Sequence, residues 1–131
     1  MNKAPLITCV YVVFIPILRY SLKLLGYRKT IVLLKKVSPK RLIVPEPNAA
    51  VSKYKFIRKA THNHHKKATC LHNSIFLWWA LRWANVDSII KTGLKRQEKS
   101  KNIYLHAWVE CDSTPINESL AAARSYIRLD I

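Results

Sequence analysis

Cys70-Leu71-His72-Asn73-Ser74-Ile75-Phe76-Leu77-Trp78-Trp79-Ala80-Leu81-Arg82-Trp83 is the stretch on which the fold turns. Plotted at 3.6 residues per turn, its apolar side chains cover nearly the whole circumference, and a helix apolar all round is a central, buried one. The chain beyond it has another period. In Ile103–Cys111, Ile103, Leu105, Ala107, Val109 and Cys111 alternate with Tyr104, His106, Trp108 and Glu110, the signature of a strand with a decorated second face. Val86–Lys95 reads as a strand before it and Arg96–Asn102 as a charged loop. Asp112–Thr114 reads as a turn, Pro115–Glu118 as a short strand and Ser119–Tyr126 as a small helix.

Upstream the pattern is helical. Pro5–Leu18 is apolar, interrupted by Pro16, and short of the roughly 20 residues a spanning helix needs. It reads as a buried or membrane-surface helix continuing through Tyr20–Leu25 and ending near Gly26. Arg28–Val37 is a second helical segment. Ser38-Pro39 and Pro45-Glu46-Pro47 break the chain, because proline and the residue before it resist helix. Asn48 is placed to cap a helix from Ala49 to about Lys59, with Ala50, Tyr54 and Ile57 on one stripe. Thr61–Lys67 is a polar, basic loop. Helices, then a buried helix, then an antiparallel meander make an α+β pattern. One domain over residues 1–131 is expected, with a helical part over 1–60 and the remainder over 61–131.

The 131 residues (15.2 kDa) are half hydrophobic, which excludes collagenous, low-complexity and fully disordered classes. Two glycines leave no room for a phosphate-binding loop. Lys and Arg number 23 against seven acids, a formal charge of +16. Up to Trp79 the single acid is Glu46. Such a basic half calls for an acidic partner: a peptide, an anionic membrane face or nucleic acid. Three irregularly spaced cysteines argue against a disulfide framework and for a reducing, cytoplasmic setting.

Cys70 stands where the basic loop meets the buried helix. A helix N-terminus favours a thiolate and offers N–H groups to an oxyanion. Cys9, in the apolar N-terminal run, and Cys111, on the apolar strand face, read as core. A nucleophilic thiol needs a base, and the base an orienting group; His106, between Tyr104 and Trp108 on the decorated face, is the candidate base. For the acid, a three-residue loop at Cys111–Ser113 pairs Glu110 with Thr114 and sets His106 opposite Glu118. A slip of one residue turns Glu118 to the wrong face. Asp112 is the competing acid, at a hairpin tip that points away, and Asn117 has the opposite parity in that register.

Thr69-Cys70-Leu71-His72-Asn73-Ser74 running into Leu77-Trp78-Trp79-Ala80-Leu81-Arg82, then Leu105-His106-Ala107-Trp108-Val109-Glu110, resembles the transglutaminase-like cysteine proteases of lasso-peptide biosynthesis. These are the leader peptidases, often a stand-alone half of the B protein. The likeness covers roughly Thr61 to Ile131 and, more loosely, the helical part before it. It implies a transglutaminase-like, papain-like fold and a triad of Cys70, His106 and an acid at Glu118, where the family usually carries Asp. It further implies cleavage of a ribosomally made precursor, with a small leader-recognition companion and an asparagine-synthetase-like cyclase as partners. Fused family members are linked to a nucleotide requirement, but this chain has no phosphate loop and no cofactor is expected.

Three rival readings stand beside it. His62, His64, His65, Cys70 and His72 fall within a short span as possible zinc ligands, but their spacing matches no closed set. A non-enzymatic basic domain binding membrane or nucleic acid is the second; the burial expected for Trp78–Trp83 removes it as a stacking platform for bases. The third keeps the fold and makes the chain an amidase or acyltransferase, since an acyl-enzyme is resolved by water or by an amine.

Overall fold

The computed structural model describes residues 4–40, 42, 47–61, 69–96 and 103–129. The elements run α1 (Ala4–Leu25), α2 (Tyr27–Lys36), α3 (Pro47–Thr61), α4 (Cys70–Trp83), β1 (Ile89–Arg96), β2 (Ile103–Cys111), β3 (Thr114–Pro115), α5 (Leu120–Ser125) and β4 (Ile127–Leu129). The strands form one antiparallel sheet in the order β3-β2-β1-β4. This is an α+β architecture, a helical layer with α4 packed on a small sheet. β4, which closes the far edge against β1, has no signal in the sequence, because three residues after a helix carry too short a period to read.

α4 forms the middle of the molecule, as its composition requires. Ser74, Ile75, Phe76, Leu77, Trp78 and Leu81 are buried, between α1 and α3 on one side and β2 on the other. Tyr11 and Phe14 of α1 close on Phe76 with ring centroids 5.0 and 5.3 Å apart, and Phe14 stacks on Trp79 at 4.8 Å. Edge-on and offset aromatic pairs of this kind add roughly 0.5–1.5 kcal/mol each beyond their burial. The last turn departs from expectation: Trp83 is 54% exposed, on the wall of an open groove between α1, α3 and α4. Arg82 in the same turn is buried, with Nε donating to Ser38 Oγ at 2.7 Å and its guanidinium over the Trp78 ring.

α1 ends at Leu25 before Gly26, whose φ of 82° breaks the helix, as the sequence suggests. Only one stripe of it enters the core: Tyr11, Phe14, Ile15 and Leu18. Cys9 is exposed, contrary to expectation; two residues at 100° each turn it away from Tyr11, and a helix apolar on every side does not reveal its own phase. α3 starts at Pro47 rather than after Asn48, with proline in the first turn, where its missing N–H costs nothing. Its Ala50 and Ile57 are buried and Tyr54 half-buried, the stripe expected.

The hairpin between β2 and β3 differs in register from the expectation. Cys111 pairs with Thr114 and Glu110 with Pro115, so the loop is two residues long. Asp112 and Ser113 both have positive φ, 49° and 65°, the left-handed pair whose twist matches that of the flanking strands. Continued as a ladder, this register would turn Glu118 away from His106. The ladder goes one bond further, from the Ile116 N–H to the Val109 carbonyl at 2.8 Å, and ends there, because the Asn117 side chain takes the Val109 N–H at 2.8 Å. Beyond that point the backbone bends out of strand geometry.

Candidate active site

Thr69 caps α4. The His72 N–H donates to Thr69 Oγ1 at 3.3 Å, and the Thr69 N–H donates to His72 Nδ1 at 3.1 Å, a reciprocal capping box. The second bond requires a neutral imidazole, and burial together with Arg19 holds the His72 pKa below its usual value of 6.5. Cys70 is therefore fixed in the first turn of a 14-residue helix, at the end where the peptide dipoles present positive charge.

Cys70 and His106 line one cavity of about 590 Å³, with Asn73 and Ser74 from α4, Asn117 from the bend, Tyr11 from α1, and Tyr54 and Arg58 from α3. His106 Nε2 lies 2.6 Å from Glu118 Oε2, with both side chains about one-fifth exposed. Glu118 Oε1 also accepts the Ser119 N–H at 3.2 Å, which fixes the carboxylate's other end. With Nε2 turned to the carboxylate, the ring's other nitrogen is Nδ1, and it is buried. Of the competing acids, Asp112 sits exposed at the hairpin tip. The acid that meets His106 is Glu118, brought there by the bend after Pro115 and not by the cross-strand pairing expected for it.

The imidazole is held in plane by neighbours. His106 stacks on Tyr126 with centroids 5.1 Å apart and on Trp108 at 6.0 Å; Trp108 and Tyr126 meet at 5.6 Å. Trp108 is anchored from behind, its Nε1–H donating to the buried Glu110 carboxylate at 2.7 Å. Directly opposite His106 on β1 is Gly93. A Cβ at Gly93 would fall 2.5 Å from Tyr126 Cβ and 3.1 and 3.2 Å from the Trp108 ring, so the missing side chain makes the bay in which the stack rests. An isolated glycine inside a strand pattern is the sequence signal for such an approach; Tyr126 carries no such signal.

Ser74 ties α4, which carries Cys70, to β2, which carries His106. It is fully buried, its Oγ donates to the Ala107 carbonyl at 3.1 Å, and Asn117 Nδ2 donates to it at 3.4 Å. Asn117, excluded in sequence by the parity of a ladder that does not extend so far, is thus a brace between helix, strand and bend. Asn73 Oδ1 accepts the Tyr11 hydroxyl at 2.7 Å, fixing α1 against the cavity wall.

The other cysteines lie outside this arrangement. None of the three is disulfide-bonded. Burial pushes the Cys111 thiol up to about 11, with Asp87 adding to the effect, so it behaves as a small apolar group. His62, His64 and His65 fall outside the described residues; among the described residues no three His, Cys, Asp or Glu side chains are grouped to hold a metal ion.

A thiol at a helix N-terminus, an imidazole on the neighbouring strand and a carboxylate behind it have the layout of a Cys-His-acid site. A family model described as the transglutaminase-like superfamily matches residues 13–129, and the chain belongs to that superfamily. Its members include cysteine proteases and are often cysteine-dependent enzymes. No curated protein and no solved structure matches the chain significantly.

Proposed function

We propose that this chain is a cysteine endopeptidase that removes the leader from a ribosomally synthesised lasso-peptide precursor in the cytoplasm. The observation that carries the proposal is that Cys70 and His106 open on one cavity while Glu118 occupies the far nitrogen of the same ring. Cys70 passes its proton to His106 Nδ1 and its sulfur attacks the scissile carbonyl. The oxyanion forms against the N-terminal end of α4, where oriented amides stabilise it. His106, its imidazolium steadied by Glu118, returns the proton to the leaving amine, and the amine end departs with the core peptide. Water, deprotonated by the same ring, then frees the leader from the sulfur. A small leader-recognition companion would deliver the precursor, and an asparagine-synthetase-like cyclase would take up the exposed amine.

The test is incubation of the chain with precursor and companion, read by mass spectrometry. Cys70→Ala and His106→Ala should stay folded and lose cleavage by at least about 10²-fold. Glu118→Gln, which keeps the shape and weakens the imidazolium, should lose less. Full cleavage by Cys70→Ala would end the proposal. Transfer of the acyl group to an added amine in place of water would instead make the chain an acyltransferase on the same scaffold.

A further inference from the structure

α1 carries a second apolar face that the core does not use. Leu6, Val10, Val13, Ile17, Tyr20 and Leu24 recur at alternating steps of four and three residues, which keeps them on one line down the helix. All six are exposed, from 39% to 66%, along roughly 27 Å at 1.5 Å per residue. At its N-terminal end the line opens into an apolar groove of about 710 Å³ between α1, α3 and α4, where Leu6 and Val10 meet Phe56, Trp79 and Trp83. Phe56 is 43% exposed, and Lys53 stands at the rim. Beyond the other end, Leu25 with Val32 and Leu33 of α2 forms a smaller apolar depression edged by Arg28, Lys29 and Lys36.

The charge around this face has one sign. No Asp or Glu occurs anywhere in α1, α2, α3 or α4, whereas α1, α2 and α3 each carry exposed Lys or Arg. An exposed apolar line among cations only, with an aromatic at Tyr20 and another at Trp83, matches the headgroup boundary of an anionic bilayer. There, acyl chains receive the apolar side chains and lipid phosphates receive the cations. A helical partner without acidic side chains would satisfy the apolar line but leave the cations without counter-charge. By length and composition α1 could cross a bilayer, but its Tyr11, Phe14, Ile15 and Leu18 stripe is locked into the core against Phe76 and Trp79. It therefore lies along a surface.

We infer that the α1 line and the adjoining groove dock this protein on an anionic membrane surface. On α3 the groove is lined by Ser52, Lys53 and Phe56 and the Cys70 cavity by Tyr54, Arg58 and Thr61, while Ile57 and Phe76 form a wall that both share. Docking on the groove meets the Cys70 cavity only at that shared wall. The inference does not rest on the reaction proposed above, since its test reads binding alone.

The full chain is sedimented with vesicles of phosphatidylcholine and phosphatidylglycerol at about 7:3, and with phosphatidylcholine alone. Binding should be strong to the first, weak to the second, and reduced by salt. The triple variant Val13→Gln, Ile17→Gln, Leu24→Gln changes only exposed positions and keeps every charge. It should lose at least about tenfold in affinity for the anionic vesicles, while Val12→Gln, exposed but off the line, should bind like the parent. Circular dichroism verifies that each variant is folded. The inference is overturned if the parent does not bind, or if the triple variant binds as tightly as the parent, which would leave charge alone. It is equally overturned if light scattering shows a dimer that the triple variant splits while the vesicles retain nothing.

Discussion

Gly93→Ala is the change that most directly probes how His106 is held. The added methyl would lie 2.5 Å from Tyr126 Cβ and just over 3 Å from two atoms of the Trp108 ring. Tyr126 Cβ is fixed to the backbone and Trp108 is fully buried, so neither yields as the end of a flexible side chain would. Carbon atoms in contact sit roughly 3.5–4.0 Å apart, so relieving the clash requires a displacement of about 1 Å. Overpacking of this kind costs about 1–3 kcal/mol. Replacing a strand glycine by alanine returns about 0.5–1 kcal/mol, leaving a net loss of up to about 2.5 kcal/mol. Because the ring of His106 stacks on Tyr126, the shift reaches the base, and a misplacement near 1 Å can lower turnover by about 10²-fold. Urea unfolding followed by tryptophan fluorescence measures the first quantity, and precursor cleavage the second. Tyr126→Gly removes the clashing atom, so Gly93→Ala should cost clearly less in that background. Parent-like stability and turnover in the single variant would refute the claim that the empty bay positions the histidine.

The supports of the site give two further expected outcomes. The cap of α4 should weaken in acid: the folded state holds the His72 pKa below 6.5, so the unfolded chain takes up the proton first. The associated stability is complete above about 6.5 and is lost as the pH falls through the lower folded value. Urea midpoints measured against pH should therefore fall in that window for the parent and not for His72→Gln, whose side chain can accept the same N–H in either condition. Ser74→Ala leaves the buried Ala107 carbonyl without its hydroxyl donor and should cost about 1–3 kcal/mol. It should lower kcat more than it raises KM, since what it loosens is the registry of Cys70 with His106, while the rest of the cavity wall stays in place.

Much of the fold is legible in the residues themselves. A run such as Ile75 to Leu81, apolar around its circumference, has to be central, and the strict alternation of Ala107 to Cys111 has to be a strand. The change from basic loop to apolar run at Cys70 marks the helix start, which sets the thiol at its N-terminus. Each of these rests on interactions within a few residues, where period and capping chemistry are set by the local backbone. α1 is less legible. Its C-terminal boundary is plain from Gly26, but an all-apolar helix has no preferred side until neighbours choose one, and so its sequence points Cys9 inward when the molecule turns it out.

Glu118 is the instructive case. The sequence sets Glu118 beside His106 by a cross-strand register that the protein does not have, yet the two side chains meet. What the sequence alone determined is the set of local elements and the presence of a thiol, an imidazole and a carboxylate along them. Only the tertiary structure decided how they meet. The left-handed Asp112-Ser113 turn sets one register, the end of β3 at Pro115 abandons it, and Asn117 takes over the Val109 N–H so that the chain can bend. These choices, like the bay at Gly93, depend on satisfying and packing groups far apart in the chain, and no local pattern of residues encodes them.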